Sequence, residues 1–231
     1  MRTYLLSVLL GLTTVAVWAP LPAQAEPRVY QFESGKESLR LAPEGFDVLK
    51  SLGLSLDSVE NTAVPAPGYT YGEDLVGSTF TFSYDDVTEE FIGLGGTVDF
   101  TGSVFFDVDT TKLDLPPQLV VGNFSAAVEP DAPFTVVDTI ATGLPIFNLE
   151  PSGPVVVDLE SQTVTLNFEA TASQEFSDFL VDAGASTPIA GVKLLDIQGD
   201  RNIAEVPEPS SVLGILMAGA AIAVRLWRRT A

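Results

Sequence analysis

The chain has 231 residues, 31 acidic against 11 basic, with no histidine and no cysteine. Those two absences exclude metal sites built on His or Cys, disulfide frameworks, thiol redox chemistry and nucleophilic catalysis by Cys or by a Ser-His-Asp triad. A formal net charge of −20 repels a phosphate backbone and argues against nucleic acid as a partner.

The first predicted element is an N-terminal signal helix, with residues 1–25 reading as a secretory signal peptide. Arg2 gives the charged start, Leu5 to Trp18 form an apolar run broken only by Ser, Thr and Gly, and Ala23 and Ala25 frame a small-x-small cleavage site. Signal peptidase is the partner this implies, with Glu26 as the new N-terminus.

Residues 26–200 read as one acidic, β-rich extracytoplasmic domain, because apolar residues recur mostly at period two. A helix opened by Pro43 is expected over Glu44 to Leu52, with Phe46, Leu49 and Leu52 at three-residue spacing and Gly53 as its stop. Asn61 to Asp74, with Pro65, Pro67 and Gly68, reads as a loop. Val76 to Tyr84 and Gly96 to Val108 read as strands, the second jointed at Gly102. Leu119 to Val128, Phe134 to Ile140, Val155 to Leu159, Thr163 to Phe168 and Val192 to Ile197 continue the series, with a hairpin loop at Glu160 to Gln162. Ser173 is placed to cap a second helix whose apolar face is Phe176, Phe179 and Leu180 and which ends near Gly184. The expected fold is mainly β, an antiparallel β-sandwich or barrel-like domain with one or two short helices.

Residues 201–211 read as a linker carrying Pro207, Glu208 and Pro209. Residues 212–227 follow as a C-terminal transmembrane helix and 228–231 as a basic tail, with Arg225, Arg228 and Arg229 as the basic cluster. Sixteen helical residues cover roughly 24 Å, a little short of a hydrocarbon core of about 30 Å. The arginines belong on the cytoplasmic side, so everything between the two ends faces outward.

The Pro207-Glu208-Pro209 motif, the short apolar helix and the terminal arginine cluster together resemble the C-terminal sorting signal of PEP-CTERM proteins. The likeness covers Val206 to Ala231 and leaves the middle domain unassigned. It implies a Gram-negative host that makes exopolysaccharide, and recognition and removal of the tail by exosortase, a membrane-bound transpeptidase. It also implies transient anchoring in the inner membrane through the C-terminal helix, then the cell surface or extracellular matrix of a biofilm. Removing both ends takes away four arginines and leaves seven basic residues against 31 acidic ones, a net charge of −24.

Chemistry within the domain rests on carboxylates. Asp107 and Asp109 at a strand end, with Asp114 nearby, could begin a calcium site, although the glycine-containing EF-hand loop is missing. The alternative for such clusters, including Asp85-Asp86 and Glu89-Glu90, is a solvated acidic rim that discourages edge pairing. A carboxylate-pair glycoside hydrolase is disfavoured, because both tryptophans lie in the removable ends and no catalytic motif is present. Phe80, Phe82, Phe100, Phe105 and Phe106 read as core and not as a ligand stripe. The sequence therefore predicts an exported, non-catalytic surface or matrix protein, structural or adhesive, meeting exopolysaccharide or other surface components. It implies no cofactor unless calcium binds, and a calcium-dependent or glycan-binding module is the alternative.

Overall fold

The computed structural model describes residues 27–128 and 134–207. Its elements are β1 (Arg28–Leu41), α1 (Pro43–Leu52), β2 (Leu54–Val59), β3 (Tyr71–Ser78), β4 (Thr81–Asp85), β5 (Glu90–Thr101), β6 (Ser103–Val108) and β7 (Gln118–Gly122). There follow β8 (Ser125–Val128), β9 (Phe134–Val137), β10 (Pro145–Pro151), β11 (Val156–Asp158), β12 (Thr163–Ala172), α2 (Gln174–Asp182) and β13 (Lys193–Glu205).

The mainly β expectation holds, and of its two forms the chain takes the barrel. Around the ring the pairing runs β1, β3, β5, β8, β9, β10, β12, β13 and back to β1, antiparallel throughout, with the β10–β12 ladder as the closing seam. Closure leaves these strands no free edge, which is how a β-protein without disulfides avoids pairing with other chains. β3 and β4 together line one flank of β1: Lys36 to Leu39 pair with β3, and Arg28 to Gln31 with β4.

At Gly102, with φ +143°, the chain leaves the barrel between β5 and β6. The joint expected there is real, and it feeds a separate sheet of order β2-β6-β7. This small sheet and both helices cover one end of the barrel. Leu39, Leu195 and Phe147 from the barrel meet Phe46 and Leu49 of α1, Phe176 of α2 and Phe106 of β6 around a void of only 30 Å³. Burying each such side chain contributes about 1.5–3 kcal/mol, so this layer continues the apolar core beneath the lumen as a firm floor.

Both helices form where their punctuation placed them. Pro43 occupies the first turn of α1, and Gly53 ends it at φ +112° with its N–H bonded to the carbonyls of the last turn. Ser173 Oγ accepts from the Phe176 N–H at 3.0 Å and caps α2.

Several expectations need correction. Leu119 to Val128 is not one strand but two, β7 in the small sheet and β8 in the barrel, parted at Asn123 and Phe124, and the strand expected over Phe134 to Ile140 stops at Val137. Residues 201–205 are not linker but the last third of β13, paired with β1 through Tyr30↔Glu205. The loop over Asn61 to Asp74 ends early, because Tyr71 already begins β3. Val76 to Tyr84 is not one strand: Thr79 and Phe80 interrupt it, and the Phe80 N–H turns to the Ser78 hydroxyl at 3.0 Å. β1, β2 and β10 are strands the periodicity did not reveal. Among the described residues no helix is long and apolar enough to cross a membrane. The expected signal helix and C-terminal helix lie outside the described residues.

Candidate functional site: a phenylalanine-lined lumen with a buried charged cluster

All eight barrel strands contribute to a cavity of about 240 Å³ inside the barrel. Eight phenylalanines line it: Phe32, Phe80, Phe91, Phe100, Phe124, Phe134, Phe147 and Phe168. An eight-stranded barrel is just wide enough either to be filled by its own side chains or to hold one small ligand. Small residues tip the balance here, since Gly93 and Ala126 face the lumen where larger side chains would fill it. Phe100, Phe124 and Phe147 are buried near the covered end, whereas Phe91, Val128 and Phe134 are partly exposed. Of the phenylalanines expected in the core, Phe82 and Phe106 are plain core and Phe80 and Phe100 both pack and face the cavity, whereas Phe105, on the other face of β6, is half-buried and outside the core.

Three charged residues share this apolar space: Glu37, Glu73 and Arg201. Their meeting is dictated by register. On the β1–β13 ladder Gly35 stands opposite Arg201 and Glu37 opposite Gly199, so each charged side chain faces a glycine and reaches diagonally to the other. On the other side of β1, Glu37 stands directly opposite Glu73 of β3. The cluster thus lies across three adjacent strands in the order Glu73, Glu37, Arg201.

The glycines make the space. A Cβ on Gly35 would lie 2.2 Å from the Asp200 carbonyl oxygen and 2.9 Å from the Arg201 Cα. One on Gly199 would stand 2.9 Å from Arg201 Nη2 and 3.0 Å from Glu37 Oε2. A Cβ on Gly102 would press on the Glu73 side chain at 2.9–3.1 Å.

Arg201 is only 3% exposed. Its Nη2 donates to Glu37 Oε1 in a close ion pair, and its Nη1 donates to the Lys36 carbonyl and, at 3.2 Å, to that of Asp200. The guanidinium also lies 5.1 Å from the Phe100 ring centroid and 5.9 Å from that of Phe32, within cation–π range. Burial pushes the Glu37 carboxyl up, against the opposing pull of Arg201. Among the described residues Glu73 has no such cation: burial, reinforced by the neighbouring Glu37, pushes it up to about 8, so near neutrality it is a protonated acid. Among the described residues, Glu37 Oε2, Glu73 Oε1 and Arg201 Nε are buried and have no hydrogen-bond partner. Unpaired buried polar atoms cost about 1–3 kcal/mol each, so three in one place signal a site kept for something other than stability.

A second buried carboxylate shows the contrast. Asp138, fully buried, accepts from the backbone N–H groups of Gly122, Ile140, Ala141 and Thr142 and from the Thr142 hydroxyl, at 2.7–3.2 Å. Burial alone would raise its pKa, but the donors on Thr142, Gly122 and Ile140 outweigh it and hold the carboxyl below its usual range. Asp138 is a satisfied loop anchor; the cluster in the lumen is not satisfied.

The residues singled out from the sequence lie elsewhere. Asp107, Asp109 and Asp114 are exposed, and Asp109 Oδ1 is taken by the Thr111 N–H at 3.1 Å and the Thr111 hydroxyl at 2.6 Å. Among the described residues no three acidic side chains converge as a metal site would require. Pro207 is exposed just beyond β13, where the Val206 N–H donates to the Val29 carbonyl and brings the two described ends of the barrel together. Glu208, Pro209, Ala23, Ala25, Arg225, Arg228 and Arg229 lie outside the described residues.

Glu37, Glu73 and Arg201 were not picked out from the sequence. The available signal was Ile197-Gly199-Arg201-Ile203, which keeps period two if a glycine and a charged residue are allowed to face inward.

No family model matches the chain, and no curated protein does. Among solved structures, the C-terminal domain of HtaA from Corynebacterium glutamicum is similar at a TM-score of 0.42 and 14% identity, covering 76% of this chain and 99% of that domain.

Proposed function

We propose that this chain is an exported, non-catalytic surface or matrix protein whose β-barrel carries one small, largely apolar molecule in its lumen. The single observation behind the binding role is the phenylalanine-lined cavity of about 240 Å³ with polar atoms left unpaired on its wall. Apolar cavities of roughly 150 Å³ already take up a benzene-sized guest, and this one approaches the lower bound of about 300 Å³ typical of ligand pockets. Export and surface display rest on the signal peptide and the PEP-CTERM resemblance; exosortase and the surrounding exopolysaccharide are the partners they imply. A purely structural role would leave the cavity and its cluster without a purpose, and a glycan site would need more polar lining than this lumen offers.

Titration with the fluorescent apolar probe N-phenyl-1-naphthylamine tests the binding role. The expected result is saturable enhancement at one site, lost in Ala126→Phe, whose added ring occupies the lumen. No enhancement, or one that Ala126→Phe leaves intact, would sink the reading.

A further inference from the structure

Given that the lumen is a binding site, we infer that its occupant is an apolar primary amine, with the ammonium seated against Glu73 and the free oxygen of Glu37 and the hydrocarbon part among the phenylalanines.

The inference follows from which valences the cluster leaves open. On Arg201, three of the five N–H donors are engaged, one on Nη2 by Glu37 Oε1 and the two on Nη1 by the Lys36 and Asp200 carbonyls, which leaves the hydrogen on Nε and the second on Nη2. On the acceptor side Glu37 Oε2 and Glu73 Oε1 are both open. Once Glu73 is ionised, these two oxygens offer about four lone pairs against those two donors, which calls for a head group that donates. A primary ammonium brings three donors, a hydroxyl one, and a carboxylate none.

Charge points the same way. Like-charged residues directly opposite each other on a ladder destabilise a sheet, and Glu37 and Glu73 stand opposite with a single guanidinium, on the far side of Glu37, to offset two carboxyls. With all three ionised the cluster carries one negative charge in excess, which one monovalent cation neutralises. A carboxylate-headed guest would add a third acid beside an arginine that is already paired. The phenylalanine walls add ring faces that attract a desolvated cation and repel an anion.

Seating the ammonium requires Glu73 to give up its proton, because burial and Glu37 hold it neutral up to about 8. Binding of an amine near pH 7 therefore releases close to one proton, while binding of an alcohol releases none. Besides Glu73, the charged groups bearing on that proton are Glu37 directly and, through Glu37, Arg201 and Asp200 on β13.

The test uses the full chain with n-octylamine, 1-octanol and octanoate at submicellar concentration, by calorimetry in two buffers of different ionisation enthalpy. Octylamine should bind at least tenfold more tightly than octanol, with octanoate weakest, and only octylamine should release a proton. Glu73→Gln should lower octylamine affinity tenfold or more and abolish the proton release, while octanol still binds and so certifies an intact lumen. If octanol or octanoate binds as tightly as octylamine, or if Glu73→Gln leaves octylamine unaffected, the amine assignment is overturned and the lumen reading survives. If none of the three binds, both fall. Should Glu73→Gln fail to fold, proton release by the unsubstituted chain decides alone, and its absence with bound octylamine overturns the assignment.

Discussion

Glu73→Gln is also the sharpest test of how the barrel's own stability is spent. The side chain of Glu73 is 2% exposed and its carboxyl is pushed from 4.5 up to about 8, first by burial and then by Glu37. A folded-state pKa raised in this way leaves stability fully present below about pH 4.5, where the carboxyl is protonated folded or unfolded. The stability drains as pH rises towards 8, because the unfolded chain ionises and the folded one resists. A shift of about 3.5 units at ~1.4 kcal/mol per unit amounts to about 5 kcal/mol over the window, of which roughly 3–4 kcal/mol falls between pH 5 and pH 8. Glutamine keeps the shape of the protonated acid and cannot ionise. Urea unfolding of the parent and the variant at pH 5 and pH 8 reads the difference directly, because every other titrating group is common to both. The parent should lose roughly 3–4 kcal/mol more than the variant over that interval, and the variant should be the more stable protein at pH 8. Equal pH slopes in the two proteins would refute a neutral, buried Glu73.

Three further outcomes are expected. Arg201→Met strands Glu37 in an apolar wall and should cost about 3–5 kcal/mol in urea unfolding, while Arg201→Met combined with Glu37→Gln should recover most of that loss; no recovery would show that Arg201 matters for packing alone. Asp138→Ala removes the acceptor shared by five donors and should cost about 3–5 kcal/mol, read as a fall in melting temperature. Because the Asp138 pKa is depressed in the fold, its contribution is present above about pH 3.8 and fades as pH falls through its lower folded value; a variant as stable as the parent at neutral pH would contradict this anchoring role. Millimolar calcium should leave the melting temperature unchanged, since Asp109 is engaged by Thr111; a rise that disappears in Asp109→Asn would restore the calcium site.

Much of the scaffold was legible because it obeys simple periodicity. Phe80, Val98, Phe100, Val164 and Leu166 alternate with polar neighbours and are buried as that alternation requires, and Pro43, Gly53 and Ser173 punctuate the helices at the residues that carry the caps. The site itself was hidden, and for a physical reason. β1 faces Tyr30 and Phe32 inward, then a register shift between Phe32 and Ser34 moves the inward positions to Gly35, Glu37 and Leu39. A bulge flips the parity of a strand, and here the next two inward residues are a glycine and a carboxylic acid, so no apolar alternation remains to be seen. β13 repeats the pattern with Gly199 and Arg201, which is why the chain beyond Asp200 reads as linker. Local rules fail most where a site is kept at the expense of the core, and the ion pair sits on β1, which escaped notice, and on the part of β13 that reads as linker.

The most direct measurement of the central claim is the mass of the protein recovered from the surface of its host, taken once under native and once under denaturing conditions. The native species should be heavier than the denatured chain by one small organic molecule, found in the extract as an apolar amine and missing from Ala126→Phe. Equal native and denatured masses, with nothing in the extract that depends on an open lumen, would contradict it.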